Sequence, residues 1–262
     1  MTDQPCSTCP LGRFCLPNDL DPAELPALDA VAHRRLRLKK GALVYRVGDP
    51  VMAIYAVRLG TLKSHVATED GRSQIVGFHL QGEILGMDSV FGPFHLSSAT
   101  ALEDTQLCVL PVSALRAALP RLPSLRRQLV LALAQEAQHD RVMMTTIGLM
   151  TAEERLVAFL LGLSKRLSAR GFAANEFVLR MSREEIGSYL GLKLETISRL
   201  LSRLAEAGMI AVHHRRIRLL QPDALRSIHR RSRSVPALEP TDRCTAPGSG
   251  PAPAILDTLA TP

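Results

Sequence analysis

Short apolar runs dominate the stretch from about Arg35 to Leu110. Ala42–Val47, Ala53–Leu59, Leu62–Val66, Ile75–Leu80 and Gln106–Leu110 each suit a β-strand. Turn chemistry separates them: Gly48-Asp49-Pro50, Gly60, Asp70-Gly71, Gly82 and Gly92-Pro93. Many short strands with glycine-marked turns predict a β-barrel or jelly roll, and Asp70-Gly71 suits a hairpin turn. Ahead of this region, residues 1–20 show no periodicity and read as an irregular loop, and Pro22 to Ala32 suit a short helix.

The pattern changes after Pro111-Val112-Ser113. From about Ser124 to Met150 the spacing is helical, and 27 residues would make a rod about 40 Å long. Val130, Leu133, Ala137, Asp140, Met144 and Ile147 follow one another by steps of 3, 4, 3, 4 and 3, the a/d register of a coiled coil. That seam favours a helix that pairs with a second copy over one packed on its own domain. Asp140 interrupts it. Two facing carboxylates at an interface would repel and be poorly solvated, which describes a dimer poised near its threshold. The alternative is that Asp140 turns to solvent at no cost.

Thr151 to Arg170 predicts another amphipathic helix, with Thr151 and Glu154 as a capping box and Gly171 as its stop. Ser182 and Glu185 repeat the capping signal. Ile186, Tyr189 and Leu190 give that helix an apolar face, and Gly191 supplies a turn. A second helix from about Leu194 to Ala207 turns Ile197, Leu200, Leu201 and Leu204 inward, and Gly208 closes it. Two short helices joined at a glycine turn describe a helix-turn-helix. Met209–His213 and Arg216–Leu220 then suit a hairpin wing, with His214 and Arg215 at its tip.

The outward face of the second helix opens with Glu195, Thr196, Ser198 and Arg199. Glutamate accepts from cytosine N4, arginine forks onto guanine O6 and N7, and serine serves either base edge. Thr196 and Arg203 suit phosphates. Lys193 stands at the N-cap, where Ser, Thr or Asp would cap better, and it can reach a phosphate instead.

Charge points the same way. Residues 1–150 carry 15 basic and 14 acidic side chains, whereas residues 151–233 carry 16 basic and 8 acidic. A basic segment beside a near-neutral one implies a polyanion partner, here double-stranded DNA. The chain is 46% apolar, ample for a core, yet has no run near the roughly 18 apolar residues of a membrane span. The start MTDQPCSTCP has no basic or apolar lead, so the expectation is a cytoplasmic protein with no membrane partner. A nucleotide-binding glycine loop and a catalytic triad are both missing, which argues against an enzyme.

The cysteines carry the remaining chemistry. Cys6, Cys9 and Cys15 are spaced C-x2-C-x5-C on the N-terminal loop. Three thiolates on a short loop can wrap one soft metal centre. Cys108, in the apolar strand Leu107–Leu110, is the remaining cysteine of the same half and the candidate fourth ligand. Taken singly, it equally suits a small buried hydrophobe. Zinc could also take four cysteines, although zinc loops usually come as paired C-x2-C knuckles. Cys244, in a Ser-, Pro-, Ala- and Gly-rich tail at 232–262, reads as a spare thiol.

Taken together, these residues resemble the fumarate–nitrate reduction regulator (FNR) family of the cyclic-AMP receptor protein superfamily, over roughly residues 5–230. The resemblance rests on the spacing of Cys6, Cys9 and Cys15 with Cys108, on Glu195-Thr-Ile-Ser198-Arg199, and on AEERLVAFLLGLSKR and EEIGSYLGLKLETISRLL. It implies an α+β fold: a cysteine arm (1–20), a cyclic-nucleotide-binding-like β-roll or jelly roll (21–123), a dimerisation helix (124–150), a winged helix-turn-helix (151–231) and a disordered tail (232–262). It further implies an oxygen-labile 4Fe–4S cluster on the four cysteines and a homodimer while that cluster is intact. Binding to TTGAT-like palindromes would go through Glu195, Ser198 and Arg199. RNA polymerase would be a partner, with the Glu69–Arg72 turn as candidate contact.

The chain also departs from the family. Pro10, Gly12 and Arg13 alter the loop between Cys9 and Cys15, and Arg13 would bring positive charge toward an anionic cluster. Leu194 stands where the cyclic-AMP receptor has arginine. No arginine near Gly82-Glu83 or Ser97-Ser98 is placed for a cyclic phosphate.

Overall fold

In the computed structural model, residues 5–15, 20–32, 34–67 and 70–231 are described; Cys244, the rest of the tail at 232–262, and Glu69 lie outside them. The N-terminal loop contains more order than its sequence suggested. Single 3-10 turns at Cys6–Thr8 and Gly12–Phe14 punctuate it. The Cys9 amide donates to the Cys6 carbonyl, and the Cys15 amide to that of Gly12. A third turn, Pro22–Glu24, opens into α1 (Leu25–Val31).

The β-roll follows as β1 (Arg34–Leu38), β2 (Leu43–Tyr45), β3 (Ala53–Leu59), β4 (Leu62–Ala67), β5 (Ser73–His79), β6 (Ile84–Leu85), β7 (Ser98–Ala101) and β8 (Thr105–Pro111). They form two antiparallel sheets, ordered β1-β8-β3-β6 and β2-β7-β4-β5. Between them Val57, Leu62, Leu85, Ala99 and Leu107 are buried with Tyr45. Period-2 burial is clear at the start of β4, as expected of a sheet with one face on a core, whereas β8 buries Leu107 and Cys108 in succession. The strands end at Pro111, as the sequence indicates, and Val112–Ala118 forms a further helix, α2, before the long one.

The long helix is α3 (Pro123–Leu149), with proline in its first turn. Its N-terminus is capped from outside. The buried Glu24 carboxylate accepts from the Ser124 amide (3.0 Å), the Leu125 amide (3.1 Å) and the Ser124 hydroxyl (2.7 Å). Desolvation would raise that carboxyl, but the three donors and the Arg126 charge hold it below its ordinary range.

α4 (Ala152–Ala169), β9 (Glu176–Val178), α5 (Arg183–Leu190), α6 (Leu194–Glu206), β10 (Ile210–His213), β11 (Arg216–Leu219) and α7 (Pro222–Arg231) complete the described chain. Both capping boxes form, Thr151 with Glu154 and Ser182 with Glu185. The wing is three-stranded, β10-β11-β9, since Phe177 pairs with Ile217. His214 takes φ 55° at its tip. The winged helix and the β-roll share a core: Ile75, Phe78, Leu80 and Leu102 pack with Leu156, Leu160, Ile186 and Tyr189. Phe78 lies 5.1 Å from Tyr189 and 6.1 Å from Phe159, centroid to centroid.

Candidate functional site: recognition helix and cysteine pocket

Helix α6 is strongly two-faced. Ile197, Leu200, Leu201 and Leu204 are buried, while Glu195, Arg199 and Arg203 are exposed and Thr196 and Ser198 half-buried. Lys193 is the exposed N-cap and makes no side-chain cap, which leaves the first amides of α6 without a side-chain acceptor beside a lysine. That combination favours a phosphate. The Arg183 guanidinium donates to the Ser198 hydroxyl at 3.3 Å. Arg203 forms an ion pair with Glu153 of α4 at 2.9 Å, so a phosphate there would compete with a carboxylate. The turn between α5 and α6 packs closely on α5 because Gly187 has no Cβ; one would lie 2.6 Å from the Leu192 carbonyl oxygen. Gly191 supplies φ 65° for the turn itself.

On α3 the seam positions are open. Val130 is 60% and Met144 74% exposed, and Ala137, Asp140 and Ile147 are also exposed, with Leu133 half-buried. Glu136, one turn before Asp140, is pushed up by burial and then by the Asp140 charge.

At the other end, Cys6, Cys9, Cys15 and Cys108 line one pocket. The arm is fastened over it: the Ser7 amide and hydroxyl donate to Asp29 of α1 at 3.1 and 2.7 Å. Cys108 is buried in the central strand of its sheet, directly opposite Arg35 on β1 and Ala56 on β3. Leu11, Leu28, Ala32, Val57 and Leu110 make an apolar rim. Two guanidiniums enter it, Arg35 and Arg58, and Arg58 donates from Nη1 toward Cys9 Sγ at 3.9 Å. Burial pushes the Cys6 thiol up to about 11, with Cys108 adding to the rise and Arg35 opposing it. Burial also raises Cys108, against Arg35 and Arg58. Among the described residues, no three His, Cys, Asp or Glu side chains are gathered tightly enough to hold a single metal ion. The donor set itself, four soft sulfurs with cations to offset thiolate charge, fits an iron–sulfur group.

Arg13 does not reach this pocket. Its guanidinium stacks over the neighbouring Phe14 ring at 4.8 Å, and the nearby positive charge comes from Arg35 and Arg58, which the sequence reading passed over. Nor is Glu83 without arginines. Arg166 and Arg170 pair with it at 2.5 and 2.7 Å, supplied by α4 rather than by the β-roll. Burial alone would raise the Glu83 carboxyl, but these two cations hold it below its ordinary range.

A jelly roll joined through a long helix to a winged helix-turn-helix whose second helix keeps an exposed polar face defines a DNA-binding transcription regulator, a class of regulators rather than enzymes. Residues 35–121 match the family model of the cyclic nucleotide-binding domain, and residues 154–228 that of the Crp-like helix-turn-helix domain. The chain is 44% identical to the transcriptional regulatory protein btr of Bordetella pertussis, over 85% of this chain and 92% of that one. It is 40% identical to the fumarate and nitrate reduction regulatory protein of Escherichia coli, over 88% of this chain and 92% of that one. Among solved structures, FixK2 from Bradyrhizobium japonicum superposes with a TM-score of 0.70 at 35% identity, covering 74% of this chain and 96% of that one. The chain belongs to the fumarate–nitrate reduction regulator family of the cyclic-AMP receptor protein superfamily. Among the described residues no helix is long and apolar enough to cross a membrane.

Proposed function

We propose that this protein is an oxygen-responsive regulator of the switch to anaerobic metabolism, holding a 4Fe–4S cluster on Cys6, Cys9, Cys15 and Cys108. The observation that carries the reading is the meeting of three cysteines of the arm with one on the β-roll at a single apolar pocket. The cluster would supply an oxygen-labile link between arm and roll. The chain's own residues do the rest: Ser7 and Asp29 hold the arm down, and Arg35 and Arg58 offset the charge of the thiolates. Thiols raised by burial bind a cation only on losing their protons, so loading releases protons and falls off at low pH.

With the arm in place, the exposed seam Val130, Leu133, Ala137, Asp140, Met144 and Ile147 pairs with that of a second copy. The homodimer presents two recognition helices to a TTGAT-like palindrome in the cytoplasm, with Glu195, Ser198 and Arg199 on base edges and Lys193, Thr196 and Arg203 toward phosphates. Of the candidate polymerase contact, the described part, Asp70–Arg72, would face RNA polymerase. The deciding experiment is the visible spectrum of protein prepared without oxygen, with iron and sulfide counts. Brown protein with four of each that bleaches in air supports the reading; colourless, iron-free protein that still pairs and binds its palindrome rejects it.

A second reading keeps the DNA-binding role but gives the cysteines to zinc or to structure, with another effector in the β-roll. A cavity of about 220 Å³ between Tyr45, His79, Asp88 and Ser97 of the roll and Asp140 of α3 favours it. Zinc without iron or sulfide in anaerobic protein would select it.

A further inference from the structure

One side chain closes the elbow between α3 and α4. Arg155, in the first turn of α4, donates from Nε to the Met150 carbonyl at 2.9 Å and from Nη2 to the Ile147 carbonyl at 2.5 Å. The end of a helix leaves its last carbonyls without amide partners, and these are two of them. The third donor, Nη1, reaches the Leu190 carbonyl at 3.2 Å. Leu190 is the last residue of α5, directly before the turn of the helix-turn-helix. A single guanidinium therefore joins the C-terminus of the seam helix to the C-terminus of the first helix-turn-helix helix. Its charge is favourable at both negative helix ends.

The fit around it is close. A Cβ on Gly191 would lie 3.6 Å from Arg155 Nη1 and 3.8 Å from Ile147 Cγ2. A second tie runs parallel: the Tyr189 hydroxyl of α5 and His139 Nε2 of α3 are 3.1 Å apart. α5 is joined to α6 by a tight turn, in which the Leu192 amide donates to the Gly187 carbonyl at 2.8 Å, and by a shared core in which Ile186, Leu190, Ile197 and Leu201 are buried.

We propose that Arg155 is a positioning residue for DNA recognition: it fixes the angle between the seam helix and the recognition helix, and so sets the half-site spacing that a dimer accepts. A planar fork with donors in fixed directions can hold three carbonyls at once, which the single nitrogen of lysine does not reproduce. The inference rests on the dimer reading above but not on the cluster.

The test uses full-length protein with Arg155→Lys and Arg155→Gln. Duplexes carry two half-sites at the preferred spacing and at one or two base pairs more or fewer. Parent protein should prefer one spacing by about tenfold or more, since each added base pair turns a half-site by roughly a tenth of the helical repeat. The Arg155 variants should pair in sedimentation as the parent does and keep its far-ultraviolet circular dichroism. Their preference among spacings should fall to a few-fold. Folded variants that keep the parent's spacing preference overturn the role of Arg155. If both variants unfold, Tyr189→Phe removes the parallel tie instead, and spacing preference unchanged there overturns the elbow mechanism. A parent that fails to pair, or has no preferred spacing, rejects the dimer reading itself.

Discussion

The Arg170 guanidinium lies 5.7 Å from the centroid of the Phe14 ring, so the residue beside Cys15 rests against the first helix of the DNA-binding half. The contact is built in. A Cβ on Gly82 would come within 2.7 Å of Phe14 Cβ, and Arg170 is held by Glu83, which also holds Arg166. Glu83→Ala would leave two partly desolvated guanidiniums with backbone carbonyls as acceptors but without their counter-charge. We expect a loss of about 3–5 kcal/mol in urea unfolding, as for other broken buried pairs. A loss below about 1 kcal/mol would mean that the pair is no clamp between the halves.

Arg199 is exposed on the leading face of α6, free of any carboxylate in the ion pairs described. If it forks onto a guanine, Arg199→Ala costs about 1–3 kcal/mol of site discrimination. Competition binding with single-base operator variants measures this. Equal affinity with unchanged preference would exclude the contact.

Asp140 is exposed on the open seam, so a paired helix would bring two Asp140 carboxylates together across the interface, each beside the Glu136 of its own chain. Asp140→Ala should strengthen pairing in air by roughly 1 kcal/mol or more, the scale of a like-charge contact relieved near a surface. Sedimentation velocity of aerobic protein reads it directly; identical profiles would mean that Asp140 turns away from the seam.

His79 on β5 is pushed down to about 4, first by burial and then by Arg166, and its Nε2 lies 3.0 Å from the Ser64 hydroxyl. A histidine held neutral in the fold binds its proton more readily when unfolded. Its contribution is therefore complete above the unfolded value near 6.5 and lost as pH falls toward 4. Over that window the parent should lose roughly 1–3 kcal/mol more than His79→Gln, compared by urea unfolding at each pH. Parallel losses would remove His79 from the acid response.

What could be read in advance followed local chemistry. The capping boxes at Ser182 and Thr151, the long helix after Pro123 and the wing around His214 each announce themselves within a few residues. Strands whose sense depends on distant partners did not. β1 contains three arginines in five residues and pairs only because β8 is beside it. β7 is small and polar, and β6 has two residues. β9 waits for the wing to give it an edge. The same limit hid Arg35 and Arg58, which lie far along the chain from Cys9 and near it only through the register of β1, β8 and β3. The pairing of Glu83 with Arg166, 83 positions away, was hidden likewise.

The cap that Glu24 places on α3 bears on how the arm can be studied. A shortened chain meant to lack the first three thiols yet stay able to self-associate has to keep Asp21 and Glu24. Trimmed a few positions further, it would leave the Ser124 and Leu125 amides bare and fray the rod from its start. Failure to associate would then report a damaged helix end and say nothing about sulfur chemistry.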